Sequence, residues 1–384
     1  MAMTYAADFT ATIEAQLDDL LMRICEELQL DGTRRERAEQ SYRGVEAVLE
    51  NQPSVAALRP RIYPQGSMLL GTTVRPLVGD EYDLDVVSEF SCRPHSFETP
   101  THALDLIEHT LRGSATYAPM VERKNRCIRL NYAHEFHLDI LPACRDVVRG
   151  GTCIIVPDRK LSEWTPSNPK GFAAWFDGRT RQLSSRALDK AAEPLPMPEL
   201  AHAKPALKLA VQLLKRMRDV RFRNSAAPAP ISVVLTTLAG HFYTGEQSLA
   251  RTVQEILSGV SAAIENSRPR LVVLNPTNSS EDFSECWDTE LGAYRAFVES
   301  IAAFRNAWRE LMIARGIDNV TQRLEQMFGE QLARGVVTKQ TRDIESARTR
   351  GTLSVRKNSG ILSGVAVGGS VMPVPKTTFY GETH

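Results

Sequence analysis

Two aspartates, Asp83 and Asp85, stand two residues apart in the run EYDLDVV. On an extended strand, side chains at i and i+2 point to the same face. Two carboxylates on one face repel each other unless water or a cation separates their charges. A third aspartate, Asp139, lies in FHLDILPA, where Phe136, Leu138 and Ile140 alternate with His137 and Asp139. The alternation puts Asp139 on the face opposite the apolar set. If the two strands lie side by side, three carboxylates converge. Such an oxygen donor set suits a divalent cation, and Mg2+ is the usual choice beside phosphates, with Mn2+ as the alternative. Two ions about 4 Å apart would activate an attacking hydroxyl and stabilise a leaving pyrophosphate. Asp83, Asp85 and Asp139 are therefore the candidate catalytic and metal-binding residues.

Upstream, Gly66-Ser67 stands in YPQGSM. Glycine lets the backbone approach a phosphate closely, and a serine hydroxyl with nearby amides can hold its oxygens. Fifteen residues lie between Ser67 and Asp83, enough for one turn of helix and a returning strand. A Gly-Ser pair alone signals only a turn, and a DxD alone only a solvated strand end. The ordered set is more specific: Gly-Ser, then DxD on a strand, then an aspartate bracketed by apolar residues. His134 and His137 lie near Asp139 but read as strand-surface residues, since magnesium favours oxygen. Cys25, Cys92, Cys127, Cys144, Cys153 and Cys286 form no CxxC pair and no zinc spacing, so they read as free thiols.

The elements that must position these residues follow from periodicity. Ile13, Leu17, Leu20, Leu21, Ile24 and Leu28 recur at helical spacing over residues 9–30. A second helix is predicted over 34–49. A strand, a turn with a short helix, a loop and a strand at 82–90 follow. Then come a helix over 101–112, strands at 126–132 and 135–142 joined near Ala133 and His134, and a strand at 152–156. A short helix is predicted over 172–176. The proline-rich stretch at 191–198 reads as a linker. Beyond it the pattern is helical over 201–219, 231–243, 249–265, 288–315 and 317–333. Residues 351–384 hold six glycines and few large apolar groups, which predicts a flexible tail. The predicted division is 1–192, 193–345 and a tail over 346–384.

Composition narrows the function classes. Apolar residues are 42% and charged residues 24% of the 384, enough for a sizeable core. The formal net charge is zero, so no long nucleic acid is expected as a partner. The start MAMTYAADFT is no secretory signal, and no apolar run approaches the roughly 20 residues that span a bilayer. The sequence predicts a cytoplasmic, reduced protein without a membrane partner.

The stretches QGSMLLGTTVRP, EYDLDVV and FHLDILPA resemble the DNA polymerase β-like nucleotidyltransferases. Within that superfamily the chain resembles the bacterial CD-NTases, relatives of cyclic GMP-AMP synthase and 2′-5′ oligoadenylate synthetase. SEWTPSNPKGFAAWF, ALKLAVQLLKRMRD and NPTNSSEDFSECW extend the resemblance over roughly residues 10–330. It implies an α+β fold: a polymerase β-like core with a mixed sheet and an N-terminal spine helix, a C-terminal helical lobe, and an active site in the cleft between them. It implies that Ser67 contacts a donor triphosphate and that Asp83, Asp85 and Asp139 bind two Mg2+ ions. It further assigns Lys215, in a stretch holding seven Lys/Arg and one acid between Lys204 and Arg223, and Ser232 to the triphosphate. Tyr63, Trp164, Phe172 and Trp175 could stack on bases, with burial in the core as the competing reading.

The implied reaction joins ATP and other nucleoside triphosphates into a cyclic di- or trinucleotide, a second messenger in anti-phage defence. The alternatives are transfer of a nucleotide to RNA or protein, and nucleotide binding without catalysis. The resemblance also implies operon partners, among them a ubiquitin-transfer-like enzyme that conjugates the tail. Gly381 stands three residues short of the end, which departs from a terminal glycine.

Overall fold

Period-two alternation builds the central sheet. Its strands are β1 (Arg61–Pro64), β2 (Tyr82–Phe90), β3 (Val121–Arg123), β4 (Ile128–Tyr132), β5 (Phe136–Arg145), β6 (Ile154–Asp158) and β7 (Glu163–Ser167). The computed structural model describes residues 2–160, 162–180, 193–356, 362–363 and 371–374, with the backbone alone for 2–13, 291 and 371. The spatial order is β1-β2-β5-β4-β3, and β6 joins the far end of β5 to β7. β2 and β5 run parallel while their other neighbours are antiparallel, so the sheet is mixed. The register sets Asp85 opposite Asp139, and Asp83 opposite His137.

Tyr82, Leu84 and Val86 on β2 are buried, as are Phe136, Leu138 and Ile140 on β5. They form one core with Tyr42, Val45, Leu104 and Ile107. Each such side chain, fully buried, contributes about 1.5–3 kcal/mol. The opposite face of the same two strands is left to carry the aspartates.

The first helices are α1 (Ala2–Glu27), α2 (Gly32–Asn51), α3 (Pro53–Ala56), α4 (Gly66–Leu70), α5 (Pro100–Arg112) and α6 (Pro169–Arg179). The Asp31 carboxylate caps α2 by accepting from Arg34 N at 2.8 Å. Asn168 caps α6 by accepting from Gly171 N at 3.0 Å. That cap, with Pro169 at the first turn, starts α6 ahead of the predicted residue 172.

The second half contains α7 (Ala206–Phe222), α8 (Ser232–Phe242), α9 (Leu249–Asn266), α10 (Cys286–Thr289), α11 (Leu291–Ile313), α12 (Ile317–Phe328) and α13 (Glu330–Thr349). Helix α7 runs through the middle of this body, against α1, α8, α9 and α12. Every residue from Leu207 to Met217 is buried, including Lys208, Gln212, Lys215 and Arg216. Among the described residues, no helix is long and apolar enough to cross a membrane.

Several boundaries differ from the sequence reading. The single helix predicted over 317–333 is broken at Gly329, whose φ of 98° no helix accommodates. A hairpin of β8 (Leu274–Asn275) and β9 (Asn278–Asp282) occupies a stretch whose polar residues show no alternation. Helix α1 was grouped with the sheet by the predicted division. Its apolar stripe, Leu17, Leu21, Ile24 and Leu28, instead packs into the core of the helical half. The segment at 193–198 is laced to the sheet side rather than loose. Leu195 is buried in the sheet core, Glu193 N donates to Ile62 O at 2.9 Å, and Arg35 donates to Pro196 O. Helix α13 passes the predicted boundary at 345. Where a flexible tail was predicted, β10 (Ser354–Arg356), β11 (Leu362–Ser363) and β12 (Val371–Pro373) form a small sheet in which Val355 pairs with Leu362 and Met372.

Candidate active site

The strand β1 ends at Pro64, and the chain turns sharply into α4. Gln65 N donates to Asp85 O at 2.8 Å, which ties the turn to β2. Gly66 takes φ 60°, the left-handed region that favours glycine. A Cβ at Gly66 would also collide with Asp85 Oδ2. Both facts require glycine here. Ser67 follows, its Oγ accepting from Thr73 Oγ1 at 3.2 Å.

Burial and two like charges act on Asp85. Loss of water, then the charges of Asp83 and Asp139, push its carboxyl up to about 7, against the pull of Lys215 and Arg129. Lys215, on α7, shows the mirror image. Burial and the nearby Arg218 bring its ammonium down to about 7. Its Nζ donates to Thr72 O and to Thr72 Oγ1, each at 3.1 Å. Ser232 opens α8, and its Oγ accepts from Arg218. Arg218 also donates from Nε to Asp219 Oδ1 at 2.8 Å.

Asp139 is arranged differently. Arg129 sits opposite it across β4 and β5. The guanidinium grips both Asp139 oxygens, each at 2.7 Å, and reaches Asp83 Oδ1 at 3.3 Å. Asp139 and Asp85 are thus adjacent in register, but the Asp139 side chain is engaged by a cation of the protein itself. Among the described residues, no three His, Cys, Asp or Glu side chains are gathered as a ready-made metal site. His137 Nε2 lies 2.6 Å from Glu81 Oε2 and its Nδ1 3.5 Å from Asp83 Oδ1. His134 N donates to Glu81 Oε1 at 2.8 Å. Both histidines edge the carboxylate cluster.

Gly66, Ser67, Asp83, Asp85, Lys215 and Ser232 open on one cavity of about 570 Å³. Asp139, held by Arg129, is not among the residues that line it. Cavities of this size hold small-molecule ligands and cofactors. Of the proposed base-stacking aromatics, Phe172 lines the cavity. Tyr63 is buried under Lys170, 3.7 Å from its ring centre, Trp164 packs on Phe97, and Trp175 packs on His241. Phe283, unforeseen, meets Phe172 edge-on at 5.7 Å and shares the lining.

Sequence reasoning passed over Arg129, Arg218, Ser167, Asn275 and Glu281. The last three form a polar network on the cavity wall. Glu281 accepts from Ser167 Oγ at 2.8 Å, from Asn275 Nδ2 at 2.7 Å and from Asn168 N at 3.2 Å. Burial raises its carboxyl above the usual range, and these donors oppose the rise. Arg129 left one signal, its place in the alternating run RCIRLNY.

Known proteins resemble this chain over most of its length. Residues 15–179 match the family described as the Second Messenger Oligonucleotide or Dinucleotide Synthetase domain. A c-di-GMP synthase of Roseivirga ehrenbergii is 32% identical over 382 residues, covering 97% of this chain and 99% of the relative. The cyclic dinucleotide synthase CdnG of Bradyrhizobium diazoefficiens is 28% identical over 366 residues, covering 84% and 86%. The solved structure of CdnG in complex with GTP superposes with a TM-score of 0.68 at 26% identity, over 84% of this chain and 99% of that one. With a relative matched along almost its whole length, the chain belongs to the bacterial CD-NTases, the nucleotidyltransferases that synthesise cyclic oligonucleotide or dinucleotide second messengers.

Proposed function

We propose that this protein condenses nucleoside triphosphates, GTP among them, into a cyclic dinucleotide with release of pyrophosphate. The observation that carries the reading is the single cavity onto which Gly66-Ser67, the pair Asp83 and Asp85, and the buried cation Lys215 all open. ATP stood first among the substrates implied by sequence resemblance. The names of the relatives, a c-di-GMP synthase and a synthase solved with GTP, favour guanine.

Asp83, Asp85 and Asp139 are the residues that would hold Mg2+, with Mn2+ as a substitute. The donor set is all carboxylate oxygen, and the raised carboxyl of Asp85 marks a site short of positive charge. When bound, the cations supply Lewis-acid stabilisation to the attacking hydroxyl and the departing pyrophosphate. Ser67 Oγ and the backbone at Gly66 hold phosphate oxygens. Lys215 acts on them as a point charge, and Ser232 adds a hydroxyl. The 3′- or 2′-hydroxyl of one nucleotide attacks the α-phosphorus of the other. A new P–O bond forms, the bond to the β-phosphate bridge breaks, and Asp139, released from Arg129, takes the hydroxyl proton. A second round in the same cavity closes the ring.

The product serves as a second messenger in anti-phage defence, read by an effector encoded beside the enzyme. Conjugation of the tail is part of the same reading, but Gly381 lies outside the described residues. The test is incubation of the purified protein with labelled triphosphates, Mg2+ and no acceptor. A phosphatase-resistant product of cyclic dinucleotide mass is expected. Undiminished product from the double variant Asp83→Ala, Asp85→Ala would overturn the mechanism.

A further inference from the structure

The cavity has a second wall that the chemistry of phosphate transfer does not use. It is built from the end of β7, the start of α6 and the β8–β9 hairpin. Ser167, Asn275, Glu281, Phe172 and Phe283 face the cavity there. The aspartates come from other strands, β2 and β5, and those of β2 line the same cavity.

Glu281 is the unusual member. It is a largely buried carboxylate surrounded by neutral donors. Arg126 is close enough for its charge to be felt, yet its own bonds go to Asp158 and Glu285. Burying a carboxylate without an ion pair costs stability, so a purely architectural role would be served better by a neutral amide. An ionised carboxylate offers about four lone-pair sites. Three are taken: one on Oε1 by Ser167, and two on Oε2 by Asn275 and Asn168. One Oε1 site is open, and rotation of the Ser167 hydroxyl frees a second.

Two adjacent acceptor sites match one purine edge and clash with the other. Guanine presents two neighbouring donors, N1–H and the N2 amino group. Adenine presents an acceptor at N1 beside its N6 donor. A carboxylate accepts both guanine donors and repels the adenine N1 lone pair. Phe172 and Phe283 supply apolar rings against which a base can pack. We infer that Glu281 reads the Watson–Crick edge of a guanine held in this cavity and selects GTP over ATP at one of the two base positions. This rests on the proposed condensation of triphosphates in the same cavity.

The experiment measures kcat/KM for GTP, ITP and ATP, each alone and in competition, with the wild-type protein and Glu281→Gln. ITP lacks the N2 amino group. Equilibrium dialysis of the three nucleotides against both proteins runs alongside and reads base preference without turnover. For the wild type, ITP should fall about 10-fold or more below GTP, the loss expected when a charged acceptor is left unpaired. Glu281→Gln should lower GTP use by about 10- to 100-fold and spare ATP, because the amide oxygen stays with Asn275 and Asn168 and the amide NH2 left in the Oε1 place opposes guanine N1–H but can donate to adenine N1. The preference for GTP therefore narrows or reverses. An equal loss for all three nucleotides would mean that Glu281 only supports the wall, and would overturn the inference. So would an unchanged GTP-to-ATP ratio in both turnover and dialysis. A wild-type protein that makes no product from any triphosphate would instead sink the proposed condensation, while dialysis still judges Glu281.

Discussion

The carboxylate wall and the helical wall of the cavity solve one problem with opposite charges. On β2, Asp85 loses water beside Asp83 and Asp139, and its carboxyl rises to about 7. On α7, Lys215 loses water beside Arg218, and its ammonium falls to about 7. Each wall is short of the counter-charge that would relieve it. Under the proposed function, a metal-bound nucleotide would supply both, cations for the aspartates and phosphates for the lysine. The strand wall already has a partial stand-in, since Arg129 neutralises Asp139 and reaches Asp83. The contrast teaches that the cavity is organised around a ligand of mixed charge.

Breaking the strand wall should have the largest effect. Asp83→Ala with Asp85→Ala should cost at least about 1000-fold in product formation, as expected when charge stabilisation at the reacting centre is lost. Gly66→Ala comes next. Its Cβ meets the Asp85 carboxylate and its φ is unfavourable for alanine. Activity should fall about 100-fold, because a small misplacement at the centre is expensive. The thermal midpoint should fall by about 2 °C or more.

A pH series sharpens the comparison. The Asp85 carboxyl is raised in the folded state, so its contribution to stability is full below pH 3.8 and lost as pH rises through about 7. An asparagine does not ionise. In metal-free buffer, Asp85→Asn should therefore melt about 2 °C or more above the wild type at pH 8. The gap should close toward pH 4, as followed by circular dichroism. Lys215 has the opposite sign: its contribution is full above pH 10.5 and lost as pH falls through about 7. A wild-type advantage at pH 8 would contradict the charge shortage assigned to the strand wall. The smallest effect concerns the aromatics. Phe172→Ala should raise the KM for a triphosphate about 10-fold through lost stacking. Trp164→Leu, away from the cavity lining, should leave KM within about twofold.

These walls also differ in how far they could be read beforehand. EYDLDVV and FHLDILPA announce their strands through period two, and the same alternation puts the aspartates on the face away from the core. Gly66 is legible as a turn. Its contact with Asp85 is not, because that contact joins the start of α4 to β2. The β8–β9 hairpin bearing Glu281 is polar and short, and no alternation marks it. Helix α7 is legible as a helix, but its buried run from Leu207 to Met217 includes the cations Lys208, Lys215 and Arg216, which composition alone would place in solvent.

By itself the sequence determined the types and order of the reacting groups, and the strands that carry Asp83, Asp85 and Asp139, because strand periodicity is a local property of the chain. Tertiary structure alone decided the parallel pairing that sets Asp85 beside Asp139, and Arg129's grip on Asp139. It also decided the packing of α1 with the helical half and the arrival of Glu281 in the cavity wall. Those outcomes depend on which faces meet across long stretches of chain, and no local pattern encodes a meeting of that kind.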